Sequence, residues 1–320
     1  MVFTNRIRAE GNANSRFQRS RQGCLRQASV VFRKIAGMKI QIRVLLLLLL
    51  FKQPAGPEFQ GGTVLFVYYS PDEVTFAADS RLVQYHSTGS QLTVVGQNDE
   101  ECKVSAFGNN FVFTMAGLAN ITFHGQQNTH DIARAIWQSE SAHEANAEKL
   151  VKTVSDKWVA AMREIYERPS VARYQTRKNG PVIANAFFAA TDQTGRLAVH
   201  AVDLAVDLRL FQSQGIVRVN AANEGDMDLS GGPSAAGKAE IITELRAGTT
   251  PRAKKFKEEF RSQTLNMTPS QRRAAYATKL IELSVLFNSD GSVGLPVDVL
   301  QLRRRTGVQW VRRKRNCPAL

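Results

Sequence analysis

Cysteine is scarce in this chain: there are three in 320 residues, Cys24, Cys102 and Cys317. No two have the spacing of a metal-binding pair, and an odd number sets up no disulfide framework. Cys102 reads as a semi-buried thiol at the edge of an apolar run. A membrane-length apolar run is lacking too. The block at 44–51 is eight residues long, well short of the about 20 that a spanning helix needs. No internal repeat of fixed period is present, which argues against solenoids and propellers. His124, His130 and His143 lie in one region, but the spacing of the first two gives no shared helical face and argues against a metal site.

Excess charge is missing from the middle of the chain. The formal charge is +14, yet the first 59 residues carry 11 of the 42 basic side chains and two of the 28 acids. Residues 303–320 carry seven basic side chains and no acid, so 60–302 has a net charge of −2. A groove that reads phosphate carries its positive charge on the folded face. The distribution therefore argues against nucleic-acid binding and leaves a binding role for the basic ends as a minor alternative.

Residues 1–37 are rich in Arg, Ser and Gln with one acid, Glu10. They read as a basic disordered leader or as sequence upstream of the true start. Residues 38–59, "MKIQIRVLLLLLLFKQPAGPEF", have the parts of a secretory signal: Lys39 and Arg43, then a short apolar block, then Pro54, Ala55 and Gly56. Export to the cell envelope or medium is the expectation if Met38 is used, with no membrane span after signal removal. A mitochondrial-type leader or a cytoplasmic protein are the alternatives. The folded domain is expected over 60–312, and 313–320 as a basic tail. The stretch 303–315, "RRRTGVQWVRRKR", reads as a final strand followed by solvated charge.

The middle of the chain divides into blocks. Residues 63–70 and 74–79 form a strand pair around Pro71-Asp72-Glu73, while 82–101 reads as a polar loop with a short extended piece at 92–95. Residues 104–107 and 111–116 flank Gly108-Asn109-Asn110, a hairpin signal. Helices are predicted over 121–139 and 145–167; in the second, Leu150, Val154, Trp158, Ala161 and Ile165 make one apolar face. Strands follow at 182–191, 196–203 and 208–219. A helix is expected from Pro233-Ser234 to about residue 246. Another starts after Thr268, with Pro269 in its first turn, and runs to about residue 287. Short strands at 296–301 and 308–311 close the order ββ–ββ–αα–βββ–αα–ββ. Blocks of this kind indicate an α+β fold, with antiparallel sheets and helices layered outside them.

Three features give a family resemblance. "GTVLFVYYSPDEVTFAADSR" (62–81) resembles the first hairpin of N-terminal nucleophile hydrolases of the proteasome β-subunit type. Thr63 follows a glycine there, and Asp79 stands sixteen positions on. "KVSAFGNNFVFTMAGLAN" (103–120) resembles the family's lysine strand and the hairpin into "MAG". The block order is similar to the family's four-layer αββα sandwich, two antiparallel sheets flanked by helices. Val64 departs from the family's usual Thr, and the segment between Asp79 and Lys103 is about eight residues longer than usual, an insertion that costs little closure entropy. Ser230-Gly231-Gly232 stands where the family has "SGS", its serine missing or displaced toward Ser234. In "NSDGSVG" (288–294) Ser292 fits the family's serine, with Ser289 at the aspartate position and Asp290 beside it.

The resemblance implies a threonine-type endopeptidase or amidohydrolase that works without a cofactor. Thr63, freed by a cut after Gly62, would be nucleophile and, through its α-amine, base. An α-amine titrates near about 7.7–8.0, so a useful fraction is neutral at pH 7. Lys103 would be a fixed cation beside the hydroxyl, paired with Asp79; the Gly117 N–H would bind the oxyanion; Ser292 and Asp290 would support the amine. Substrates would be peptides or proteins, and assembly into a homo-oligomer or ring is implied. The alternative is a catalytically inactive structural subunit of the same fold that keeps the residues before Thr63.

Overall fold

In β2 (Val64–Ser70), Leu65, Val67 and Tyr69 point to one face and Val64, Phe66 and Tyr68 to the other. Apolar side chains on both faces require cover on both sides. The computed structural model describes residues 58–317 apart from 89–90, 123–125, 178–179, 229–231, 290 and 316. It supplies that cover with a second sheet on one side and helices on the other. The leader and most of the signal-like segment fall outside the described residues.

β2 pairs with β3 (Glu73–Ala78) in a five-stranded antiparallel sheet. Its other strands are β12 (Ser234–Gly237), β13 (Asp298–Arg303) and β14 (Gly307–Arg312), in the order β12-β2-β3-β13-β14. The nine-stranded sheet, also antiparallel, holds β1 (Glu58–Gly61), β4 (Leu82–Thr88), β5 (Gln91–Asn98) and β7 (Phe111–Thr122). β9 (Val182–Thr191), β10 (Leu197–Val206) and β11 (Val219–Asp226) complete the order β11-β10-β9-β7-β1-β4-β5. Two short strands, β6 (Val104–Phe107) and β8 (Gln126–Asn128), pair with β7.

Seven helices lie among the described residues: α1 (Thr129–Glu140), α2 (Ala147–Tyr166), α3 (Pro169–Arg177), α4 (Leu208–Gln214), α5 (Glu240–Ala247), α6 (Pro251–Gln263) and α7 (Pro269–Phe287). One core cluster joins α1–α3 to the nine-stranded sheet around Trp158, Phe113 and Phe188. A second lies where Leu65, Val67 and Phe76 meet Val112, Phe187 and Val199 from the other sheet. A third packs Val64, Phe66 and Ala77 against Ile242, Phe256, Leu280 and Ile281 of α5–α7. Each fully buried large apolar side chain contributes about 1.5–3 kcal/mol. The protein is α+β, with two antiparallel sheets and outer helices, an arrangement compatible with a sandwich.

Several elements depart from the sequence reading. β4 and β5 pair where a loop is expected, and the short extended piece expected at 92–95 lies inside β5, which is largely exposed. The apolar stretch after residue 116 continues β7 to Thr122. The first helix begins only at Thr129, where the Asn128 side chain accepts from the N–H groups of His130 and Asp131. Residues 208–214 are helical because the Asp207 side chain caps the Leu210 N–H and Gly215, at φ 70°, ends the turn. Residues 234–237 are a strand, and the helix starts at Glu240. The Thr268 start holds, with a capping box completed by Gln271.

After β14 the side chains of Arg313 and Arg315 are exposed, as a solvated basic segment requires, but two neighbours are not. Lys314 is buried and pairs with Asp298 at 2.8 Å, and Cys317 forms a disulfide with Cys102. This overturns the reading of Cys102 as a free thiol. The two cysteines are 215 positions apart, so pairing came from the fold rather than from spacing.

Two outcomes follow from this packing. The disulfide contributes about 2–4 kcal/mol. Cys317→Ser therefore lowers the denaturation midpoint and leaves a protein whose melting no longer responds to reductant. His130 is buried against Ser105 (2.7 Å) and Phe113, and burial pushes its pKa down to about 3. Between about pH 6.5 and 3 the unfolded chain takes a proton that the folded chain refuses. Stability present above pH 6.5 is lost as the pH falls, by up to about 1.4 kcal/mol per unit. In urea titrations across this range, His130→Gln gives a flatter profile.

Candidate active site

The chain crosses from one sheet to the other at Gly62-Thr63, between β1 and β2. Gly62 makes the crossing at φ +96°, in the left-handed region that glycine enters without steric cost. Thr63 is buried, and its hydroxyl donates to the Gly62 carbonyl at 2.6 Å. On the other side, the Thr63 carbonyl accepts from the Lys238 N–H at 3.0 Å.

Asp79 immediately follows β3 and is fully buried. One carboxylate oxygen accepts from the Val64 N–H at 2.9 Å, the other from the N–H groups of Arg81 at 3.0 Å and Gly294 at 3.1 Å. The Lys103 ammonium lies 3.3 Å from the first oxygen. Lys103 immediately precedes β6, and its ammonium also donates to the carbonyls of Gly62 and Arg81. Its three donors thus have three acceptors. Burial pushes the Asp79 pKa up and the Lys103 pKa down; their attraction and the N–H donors to the carboxylate pull the other way.

Gly117, at φ +116° in β7, lies opposite Ala184 of β9. A Cβ there would overlap the Ile183 carbonyl. Ser292 is buried, its hydroxyl 3.2 Å from the Asn288 amide, and its carbonyl faces Gly62. Gly117 and Ser292 line one cavity of about 340 Å³ together with Gly62 and Thr63. Thr63, Asp79, Lys103, Gly117 and Ser292 are therefore brought to one place. Asp290 and Ser230 lie outside the described residues. Ser234 sits away from the cavity, opposite Val67 in the β12–β2 pair. A larger cleft of about 1240 Å³ opens between the start of α7 and β14, but Thr63, Asp79 and Lys103 take no part in it.

Two groups at the site escape sequence reasoning. Gly237 and Lys238 line the cavity because 234–237 is a strand against β2, and a Cβ on Gly237 would overlap the Thr63 carbonyl. Asp99, from the longer Asp79–Lys103 segment, holds Arg81 in a two-pronged pair at 2.6 and 2.7 Å. That hydrogen bonding keeps the Asp99 carboxyl below the usual carboxylate range. Arg81 also donates to the Gly291 carbonyl at 2.9 Å, so it links Asp99, just after β5, to the loop that carries Ser292. Arg81 in "AADSR" was the available signal; its partner was not legible.

Removing one member of a buried ion pair strands the other. Asp79→Asn is expected to cost about 3–5 kcal/mol in chemical denaturation, and the double variant Asp79→Asn/Lys103→Met to recover much of that loss. No protein-family model matches the chain, and a search of the curated proteins finds no match.

Proposed function

We propose that the chain is an N-terminal nucleophile hydrolase of the proteasome β-subunit type, with a four-layer αββα architecture, that cuts itself after Gly62 and then hydrolyses peptide bonds through Thr63. The observation that carries this reading is the shared position of three groups. The Thr63 hydroxyl lies against the Gly62 carbonyl, and the same carbonyl oxygen receives the Lys103 ammonium.

In the self-cut, the Thr63 hydroxyl oxygen attacks the Gly62 carbonyl carbon. Negative charge gathers on the carbonyl oxygen, where Lys103 donates a charged hydrogen bond. The C–N bond to Thr63 breaks, and the nitrogen takes the proton given up by the hydroxyl. Water then hydrolyses the Gly62 ester, leaving a carboxylate on Gly62 and a free amine on Thr63.

With a peptide, the free amine accepts the hydroxyl proton as the oxygen attacks, and that proton passes to the leaving amine as the C–N bond breaks. Water releases the acyl half. Lys103 has two effects here: it stabilises developing negative charge, and it holds the amine pKa down by like-charge repulsion. The Gly117 N–H is the oxyanion donor of this reading, and Ser292 stands ready to orient the amine. The Cys102–Cys317 bond favours an oxidising compartment and thereby the export reading of the Met38 segment.

A second reading has its own support. β1 is paired on both edges, with β4 and with β7, which suits a subunit that keeps this strand and has no activity. N-terminal sequencing of the mature protein separates the two. The hydrolase is expected to begin at Thr63; the inactive subunit still carries Glu58–Gly61. Thr63→Ala is expected to abolish the self-cut and to lower peptide hydrolysis by about 10³-fold or more. A Thr63→Ala protein that matures and hydrolyses peptides normally would overturn the assignment.

A further inference from the structure

β1 lies in a slot inside the nine-stranded sheet. Phe59 is opposite Tyr85 on β4 and Ile121 on β7; Gly61 is opposite Val83 and Leu118. Antiparallel pairing on both edges holds the segment by its backbone, which any extended peptide can supply.

The chemistry proposed for Thr63 ties this slot to substrate. The self-cut passes through an ester between the Thr63 oxygen and the Gly62 carbonyl, with 58–61 trailing behind. A peptide substrate passes through the same ester, with its own residue in place of Gly62. The acyl half of a substrate thus occupies the position relative to Thr63 that β1 holds before the cut. Departure of 58–62 leaves the edges of β4 and β7 open to receive it.

Two features of the slot discriminate between side chains. Phe59 is fully buried, its ring stacked on Tyr174 of α3 with centroids 4.7 Å apart, and Tyr174 meets Tyr85 edge-on at 5.8 Å. The fourth position before the cut is therefore an aromatic pocket. At the second position, a Cβ on Gly61 would lie 2.8 Å from the Gly117 carbonyl oxygen and 3.5 Å from the Leu118 Cα. Both are backbone atoms of a central strand and do not swing aside as a flexible side chain would.

Resting on the hydrolase reading above, we propose that the site selects extended peptides with an aromatic residue four positions before the cut and glycine two positions before it. Three coumarin amides test this on self-processed full chain: acetyl-Phe-Gln-Gly-Gly, acetyl-Ala-Gln-Gly-Gly and acetyl-Phe-Gln-Ala-Gly. Replacing Phe by Ala is expected to lower kcat/KM by about ten- to a hundredfold, the range set by burying one aromatic side chain. Replacing the second-position glycine by alanine is expected to lower it by about tenfold. Tyr174→Leu is expected to bring the Phe-to-Ala ratio toward one.

Equal rates on the three amides, from a chain that begins at Thr63, would overturn the selectivity and leave the nucleophile in place. A processed chain that hydrolyses none of them would also overturn it. A chain that is not cut after Gly62 would bring down the hydrolase reading and this inference together. The peptide series decides the matter even where Tyr174→Leu does not fold.

Discussion

A single buried carboxylate holds the centre of this molecule. Asp79 accepts from the backbone at Val64, Arg81 and Gly294 and faces the Lys103 ammonium. Those groups belong to the start of β2, the exit from β3, the entry to β13 and the entry to β6. An isolated charge at this depth would be prohibitive. Its neighbours compensate it, and in doing so fix where four stretches of chain meet. Lys103 is then aimed by acceptors on both sides, one of them the carbonyl next to Thr63.

Close backbone approach is the second constraint, and glycine meets it at the two places that matter most. Gly117 lets β7 pass against β9, and Gly237 lets β12 pass against the Thr63 carbonyl; a side chain at either would meet backbone. Backbone, rather than long side chains, thus forms much of the wall around Thr63. Such a wall would serve the main-chain recognition of a peptide that we propose above.

Local signals were the legible part. Thr268 with Pro269 marked the start of α7, the Gly-Asn-Asn turn marked β6–β7, and the β-branched and aromatic run at 182–191 marked β9 with its bounds. Long-range pairing was not legible. β4 and most of β5 read as loop because β5 is largely exposed, and 121–122 read as helix although they continue β7 to Thr122, with the helix waiting for the Asn128 cap. The short helix at 208–214 was hidden because Leu, Arg and Phe there suit either state, and a single capping aspartate decides between them. At the site, Thr63, Asp79 and Lys103 were legible only through the likeness of two hairpins to a known family. Asp99 and Lys238 were not, since their roles depend on where a long hairpin and a misread strand come to rest. The disulfide was missed for the same reason.

The position of Gly294 also orders events in time. Gly294, one of the residues that fasten Asp79, lies 215 positions beyond it along the chain, and the same separation divides Cys102 from Cys317. A ribosome that has finished only the first hairpins has made Thr63 and Lys103 but not the loop whose Gly294 N–H steadies Asp79. Polypeptides interrupted before the loop at 291–294 lack Ser292, the Gly294 N–H and the disulfide together, so the surroundings of Thr63 are completed only late in synthesis.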